Sequence, residues 1–448
     1  MSDWPDDRRT GAHEVPNGMR DESPPSGQAA GPDRASGPPQ PGVSATTRRE
    51  RWRQLRDFLW QPPRPHGEQP RERMVGPLEL FYDLAVVVLV AQAAHHLAVH
   101  LTWRGLGEFA VVFTLVWIAW ANGSLHHELH GHDDVRGRST FLVQILVLVA
   151  MAAFIPEAGG VRGAAFAVAA GILFAILAVL WLLAARGDRP EYRQSSRLFV
   201  TGTAACAVLL AGTAFLPASA RIPAWGLLDA AYLAGFAAAI LFSTPAQLTA
   251  VLVTDALIDR FGTLIIIVLG ETVTGVVAGL AREPVSGLTL AVGLIAVVVG
   301  FGAWWTYFDF AGQRQPRPEP PAILQWILGH LPLTAAIAAM GAAMVSLVDH
   351  AHDGRTPAAT AWLLCAGAAA VLCATMLVAA SLQAWQRDRG LYRPLARTCI
   401  AVAAACLAVG ALRPAPLFLG LALVALLSIP WIFAVAHRLA NGTEPPTE

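Results

Sequence analysis

The amino-acid sequence predicts an all-α, polytopic membrane protein with about 12 transmembrane helices, arranged as two parallel six-helix repeats. Three observations predict this fold. Hydrophobic residues make up 55% of the 448 residues and charged residues only 14%, which excludes an ordinary soluble globular protein. Apolar runs of about 20 residues, the length that crosses a bilayer, recur along the chain. A ten-residue pattern also returns 200 residues later, each time between apolar runs.

The apolar runs define the predicted membrane helices. Six of them belong to a first repeat at 74–243 and six to a second repeat at 244–437, which leaves a short C-terminal tail at 438–448. The twelve runs lie at 77–98, 106–126, 139–156, 163–185, 198–216, 224–243, 260–280, 286–308, 323–347, 358–384, 398–412 and 415–437.

The duplicated pattern supports the division into repeats. Residues 188–197 match residues 388–397 at five of ten positions. Repeated membrane bundles commonly bind their substrate at the interface between the repeats, so the duplication favours transport. The matched charged residues, which predict a repeated cytoplasmic cluster, are Asp188, Arg189, Arg193, Arg197, Asp388, Arg389, Arg393 and Arg397.

Arginine placement predicts the orientation. If the N-terminus is inside, fourteen arginines fall in the connections and the tail on that side, against six in the other connections. Twelve more precede residue 74. Cytoplasmic loops carry such an excess of positive charge. Both termini and both duplicated clusters are therefore predicted to be cytoplasmic.

The N-terminal tail, residues 1–73, is rich in Pro, Gly, Ser, Arg and Asp, and most of it is predicted to be disordered. Residues 48–60 differ, because Trp52, Leu55 and Leu59 recur at helical spacing among arginines. This pattern predicts a helix on an anionic membrane surface. A partly helical charged linker is an equally good interpretation.

Glu271 is the strongest candidate site residue. It lies within an apolar run, where a charge costs on the order of 3 kcal/mol on insertion scales. We therefore predict that Glu271 binds an ion or a proton. The alternative is a neutral glutamic acid that serves helix packing, with Gly270 allowing a close approach.

Glu79, Asp83 and His330 are further ion- or proton-binding candidates. Glu79 and Asp83 are four residues apart on one helix face, so they repel; either one of them is predicted to hold a proton, or both to share a cation or an arginine. Helix capping is the alternative and explains Glu79 better than Asp83. His330 precedes Pro332 and could carry protons, although a histidine satisfied at a helix end is the simpler interpretation.

Polar residues near the predicted cytoplasmic side form a second group. A charge latch that acts against the repeated arginine clusters is predicted from Asp133, Asp134, Arg136, Arg138 and Arg260. Residues 126–132 hold four histidines, but a solvated loop is a better interpretation than a metal site. Gln92, Gln144, Asp229, Asp255 and Asp309 are mostly interpreted as interfacial or capping residues.

Soluble-type enzyme motifs such as a P-loop or a GxSxG elbow do not occur in a suitable context. We therefore predict no catalytic residue, no cofactor and no metal. The formal net charge is zero, so no nucleic-acid partner is expected. The predicted partners are the lipid bilayer and an unknown small solute or ion.

Four motifs resemble the low temperature requirement protein A family of bacterial membrane proteins. Residues 76–84 resemble its opening helix signature and residues 133–138 its acidic-basic segment. Residues 260–271 resemble its second signature and residues 330–333 its ninth-helix motif. The resemblance spans about residues 74–437.

The sequence also departs from that family. Tyr82 stands where the family often has Phe, Asp259 stands where it often has Glu, and the histidine-rich run before Asp133 is not typical. The resemblance implies a polytopic protein of the bacterial cytoplasmic membrane, linked in the family's namesake to growth in the cold. It supplies neither a reaction nor a substrate.

These observations predict a secondary transporter or ion-coupled permease. Glu271 would bind the coupling ion or proton, Glu79 and Asp83 would act as a cytoplasmic-side gate or relay, and His330 would be an auxiliary proton carrier. One alternative is a membrane-embedded enzyme acting on lipid, which would need a lateral opening. Another is a membrane sensor or scaffold for cold adaptation, which would need no deep carboxylate.

Overall fold

The computed structural model describes residues 48–59, 61–65, 75–242, 253–282 and 286–441. Within these ranges the regular secondary structure is helical, and twelve helices are long and apolar enough to cross a membrane. The predicted all-α, polytopic membrane fold is therefore confirmed. Residues 1–47, 60, 66–74, 243–252, 283–285 and 442–448 lie outside the described ranges, and with them most of the predicted N-terminal tail.

The first helix, α1, is Arg48–Leu59, and Trp52, Leu55 and Leu59 are exposed on it. Its binding to a membrane surface stays a prediction.

The first six spanning helices are α2 (Pro77–Val99), α3 (Trp103–His130), α4 (Val135–Phe154), α5 (Gly163–Ala185), α6 (Arg193–Gly212) and α7 (Ala218–Leu241). The last six are α8 (Asp255–Arg282), α9 (Gly287–Phe310), α10 (Pro320–Asp349), α11 (Ala358–Ala379), α13 (Arg389–Leu412) and α14 (Pro416–Asn441). A short helix, α12 (Gln383–Arg387), precedes α13.

Several helices begin before their apolar runs. α13 begins at Arg389 although its apolar run begins at residue 398, and α8 begins at Asp255 instead of residue 260. Polar first turns are stabilised by caps: the Asp388 side chain accepts a hydrogen bond from the Leu391 backbone at 3.1 Å. Hydropathy measures the apolar length alone, so it misses these polar turns.

The connection between α13 and α14 is very short. Arg413 ends α13 in the left-handed region, with φ of 52°, and its Nε donates to the Thr356 carbonyl at 3.0 Å. The Thr356 backbone N–H in turn donates to the Pro414 carbonyl at 3.1 Å. These bonds hold a non-glycine residue in a strained conformation, so that two helices meet across three residues.

The same helix pairs pack together in each half of the chain. α2 packs on α3 and α4, α5 on α6, and α3 on α7; correspondingly, α8 packs on α9 and α10, α11 on α13, and α9 on α14. This matched packing supports the predicted duplication, which itself remains a prediction. Between the halves, α2 packs against α8 and α10.

α10 is the most extensively buried of the twelve spanning helices. It approaches α8 closely at Gly341, where an added Cβ would lie 2.7 Å from Thr272 Oγ1. Small residues allow membrane helices to pack at such short range. The centre of the molecule is therefore the contact of α2, α8 and α10.

Candidate functional site

A buried ion pair joins α2 to α8. Asp83 and Arg260 lie in the second turns of these helices, and their side chains are 0% and 4% exposed. Arg260 Nη2 donates to Asp83 Oδ1 at 3.0 Å, and Arg260 Nε lies 3.3 Å from both carboxylate oxygens. Trp120 on α3 donates from Nε1 to the same Oδ1 at 2.8 Å. The carboxylate therefore ties α2 to both α3 and α8.

Aromatic side chains exclude water from this ion pair. The Arg260 guanidinium lies over the Tyr82 ring, 5.7 Å from its centroid. Phe261 packs edge-on against Trp120 with ring centroids 4.8 Å apart. Breaking a buried ion pair by removing one partner costs about 3–5 kcal/mol, because the other charge is left uncompensated. The pair is therefore a strong clamp while both partners are present.

Glu79 lies one turn before Asp83 and contacts a different helix. His127 Nε2, near the end of α3, is 2.7 Å from Glu79 Oε1. The Gly76 backbone N–H donates to Glu79 Oε2 at 3.2 Å and so closes the first turn of α2. Each carboxylate thus contacts a partner of its own: Asp83 contacts Arg260 and Glu79 contacts His127, instead of both contacting one arginine. The reason is that α2 crosses two different helices at successive turns.

His330 is fully buried in the third turn of α10. Its Nδ1 lies 2.7 Å from the Trp326 carbonyl, which can only accept, so Nδ1 carries the proton. In the neutral ring Nε2 is then the acceptor for the Tyr307 hydroxyl, at 3.0 Å. Both ring nitrogens are satisfied. Phe261 packs against His330 with ring centroids 4.9 Å apart and so connects it to the ion pair.

A crevice opens farther along α2 and α8, beyond the ion pair. Its volume is about 380 Å³, and it lies between α2, α8 and α10. The polar side chains that line it are Gln92, His95, Glu271, Thr272, Thr274 and Arg282. In sequence, residues 88–92 resemble residues 267–271 weakly, and this alignment pairs Gln92 with Glu271. The crevice therefore brings corresponding positions of the predicted repeats together.

Glu271 is half-buried in this crevice. Within the described ranges, no hydrogen bond or ion pair involves its side chain. A Cβ added at Gly270 would have nothing within 4 Å. The close helix approach at Gly270 that the packing interpretation of Glu271 requires is thus absent. The carboxyl group faces an open, partly polar volume.

The ion pair and the crevice lie at different depths. Glu271 follows Arg260 by eleven residues on α8, and Gln92 follows Asp83 by nine on α2, so the two levels are about 15 Å apart. Both helices run in the same direction, since each passes from the pair to the crevice. Buried Val86, Leu264 and Ile265 occupy the intervening turns. The interface of α2 and α8 is therefore closed at one end and open towards the other.

Arg260 does not belong to the predicted charge latch, because α8 begins five residues before it and places it inside the span. The other latch residues lie in and after the connection of α3 to α4. Asp133 and Arg138 form an exposed ion pair at 3.0 Å, and the hydrogen bond from Arg138 lowers the pKa of Asp133. Asp134 caps α4 through its first turn, and Arg136 donates to the backbone of residues 61–65, which we term the N-terminal strap.

The N-terminal strap is held against this connection. The Gln61 backbone N–H donates to Asp134 Oδ2 at 2.7 Å. Arg64 donates its backbone N–H to the His130 carbonyl at 3.2 Å and accepts from His130 Nδ1 at 2.6 Å. The strap lines a small cavity of about 50 Å³ at the α3–α4 connection. Sequence reasoning assigned the strap to a tail expected to be mostly disordered.

Each of the two matched clusters lies at the start of a helix, α6 or α13. Asp188 contacts Ser196 at the start of α6, and Asp388 caps α13. Tyr192 and Tyr392 are buried. The six arginines of the two clusters are exposed: Arg189, Arg193, Arg197, Arg389, Arg393 and Arg397.

Asp229 is a site residue that sequence reasoning missed. It was interpreted as interfacial, yet it is the twelfth of 24 residues in α7 and is only 4% exposed. In the described structure neither carboxyl oxygen has a hydrogen-bond partner. The signal that could have identified it is an aspartate inside an apolar run, because a carboxyl group is costly there.

The twelve spans, the buried ion pair and the half-buried glutamate define a polytopic α-helical membrane protein with ionisable groups between its central helices. The sequence model of the bacterial low temperature requirement A protein (LtrA) family matches residues 74–431, which is most of the chain. The protein therefore belongs to the LtrA family, as its motifs predicted. A comparison with curated proteins found no match.

Proposed function

We propose that this protein is a secondary transporter or ion-coupled permease of the bacterial cytoplasmic membrane, with both termini in the cytoplasm. The observation that carries the proposal is the interface of α2 and α8. It is clamped by Asp83 and Arg260 at one level and opens into the Glu271 crevice at the other. A transporter alternates access by closing one end of such an interface while the other is open.

Glu271 is the ion- or proton-binding residue of this proposal. A carboxyl group in an apolar span is energetically costly and is usually functional, for example in binding an ion or a proton. Glu271 faces the crevice without a protein partner in the described ranges, so its oxygens are available to a bound ion or proton. Gln92 reaches the crevice from α2 and Thr272 from its own helix. Together they offer the oxygen ligands that small cations prefer.

Asp83 and Arg260 form the gate. The pair lies where α2 and α8 begin, which the arginine distribution places at the cytoplasmic side. Opening towards the cytoplasm requires the pair to separate and its charges to be hydrated. Glu79 and His127 form a second pair nearer the same membrane surface. His330 is satisfied within the neighbouring aromatic cluster and serves as an auxiliary group beside the gate.

The test is transport in proteoliposomes. Wild-type protein is compared with Glu271→Gln, and uptake and dissipation of a pH gradient are screened with small cations, amino acids and organic acids. The matched control is Glu157→Gln, since Glu157 is half exposed and pairs with Arg162 outside the crevice. We expect flux in wild type and in the control and none in Glu271→Gln.

Two results would overturn the proposal. Normal flux in Glu271→Gln would remove the residue from the coupling site. If correctly inserted wild-type protein gave no flux with any solute of the panel, the transport proposal itself would be rejected. In the second case turnover of lipid substrates is measured next, because a lipid-acting enzyme or a scaffold would then explain the fold better.

A further inference from the structure

The first half of the chain contains a second intramembrane carboxyl group, away from the crevice. Asp229 lies at the middle of α7, about 16–18 Å from either end of the helix. Its residue is 4% exposed, and neither Oδ1 nor Oδ2 has a hydrogen-bond partner in the described part of the chain. Buried carboxyl groups normally have partners, so this absence needs an explanation.

The polar residues around Asp229 are occupied by one another. One turn before it, Trp225 Nε1 donates to Thr213 Oγ1 at 2.8 Å. One turn after it, the Tyr232 hydroxyl contacts the Asn122 side chain. Trp225 and Tyr232 share the helix face of Asp229, and neither donates to it. The carboxyl group therefore receives no compensating hydrogen bond.

Charged groups among the described residues give no compensation either. On α6, the titratable side chain that faces Asp229 is Cys206, which is buried. The arginine of α7, Arg221, lies two turns away and donates to the carbonyls of Gly160 and Ala214. From α5, the aromatic ring of Phe174 packs against Tyr232. The surroundings of Asp229 are apolar or already paired.

An ionised carboxylate in such surroundings is expensive, because burial without a counter-charge or a hydrogen bond penalises the charged form. Binding a proton converts the carboxylate to a neutral carboxylic acid and removes that cost. We propose that Asp229 is a reversible proton-binding site in the membrane, separate from the Glu271 crevice. It does not depend on the transport proposal.

The proton would exchange through a cavity that reaches the level of Asp229, although Asp229 itself does not line it. A cavity of about 290 Å³ lies between α6 and α7. On α6 it extends from Leu198, in the second turn, to Leu209, and on α7 it reaches Leu228, next to Asp229. Thr201, Thr203 and Cys206 are among the residues that line it. It therefore leads from the end at which α6 begins to the depth of Asp229.

Infrared difference spectroscopy of the reconstituted full-length protein tests this site. We expect wild type to show a carbonyl stretch of a protonated carboxyl group that shifts in D₂O and disappears reversibly as the buffer is made alkaline. Asp229→Asn should lose this band. Glu271→Gln should keep it, which distinguishes this site from the crevice.

Isotope labelling of the wild-type protein tests the site even if the Asp229→Asn variant misfolds. Wild-type protein grown with carboxyl-¹³C aspartate should shift the band, whereas labelled glutamate should not. The proposal is overturned if wild type has no aspartate band of this kind, or if Asp229→Asn folds and retains it. A band that does not respond to pH would show a static neutral group and would also overturn the proposal.

Discussion

Arg260 and Glu271 lie eleven residues apart on α8 and have opposite environments. Arg260 is 4% exposed and bound to Asp83, whereas Glu271 faces a crevice of about 380 Å³. α8 thus carries both Arg260, which closes the interface with α2, and Glu271, which lies in the open part of that interface. A rigid tilt of α8 against α2 would change both environments together.

The first prediction concerns the ion pair. Asp83→Asn should destabilise the protein by about 3–5 kcal/mol, because Arg260 is left buried without a counter-charge. The double variant Asp83→Asn, Arg260→Met should be less destabilised than the sum of the single variants, since neither charge remains. Unfolding of the detergent-solubilised protein measures both effects.

Arg138→Ala is the control: it breaks an exposed pair, and we expect no measurable change. Additive single-variant effects would contradict this account.

The second prediction concerns the contact of α8 and α10 beside the crevice. An added Cβ at Gly341 would lie 2.7 Å from Thr272 Oγ1. Gly341→Ala should therefore destabilise the protein by about 1–3 kcal/mol through overpacking. Combining it with Thr272→Ala removes the clashing hydroxyl and should restore most of the loss.

Gly270→Ala is the matched control on the same helix as Thr272. A Cβ there meets nothing within 4 Å, and alanine favours helix over glycine by roughly 0.5–1 kcal/mol. We expect unchanged or slightly raised stability in thermal unfolding. Equal destabilisation by Gly341→Ala and Gly270→Ala would show that the close approach is not the cause.

The twelve spans were predictable because a bilayer imposes a minimum apolar length, which composition along the chain records directly. The level of each polar residue was harder to predict. The apolar run at 224–243 put Asp229 near a helix end, but α7 begins at Ala218 and continues through Pro223 in its second turn. Six additional helical residues move Asp229 to the middle of the span.

Pairing across the fold could not be predicted from one sequence. Asp83 and Arg260 are 177 residues apart, and nothing local marks this arginine among the 32 basic residues of the chain. The predicted repeat carried useful information, because its alignment pairs Gln92 with Glu271, and both line one crevice. Local pattern identified the costly residues, while their partners depend on how the helices pack.

The third prediction concerns the N-terminal strap and pH. Burial, followed by the positive charge of Arg64, holds the pKa of His132 below its ordinary value of 6.5. Asp134 and a hydrogen bond to the Pro62 backbone act in the opposite direction, and Arg136 acts in the same one, so the net effect is a lowered pKa. The docked strap thus favours neutral His132, and its stability is complete above pH 6.5. As the pH falls below 6.5 towards the lowered pKa, the detached state binds the proton more readily and the strap loosens.

Hydrogen exchange at the Gln61 and Arg64 backbone amides measures this loosening, because both are bonded to the α3–α4 connection. Wild type and His132→Gln are compared at each pH, so that the intrinsic pH dependence of exchange cancels. We expect faster exchange in wild type than in the variant on mild acidification, and equal rates at neutral pH. Equal rates at both would mean that His132 does not control the strap. The bonds of Asp134, Arg136 and His130 to the strap, which do not involve the His132 ring, would then hold it.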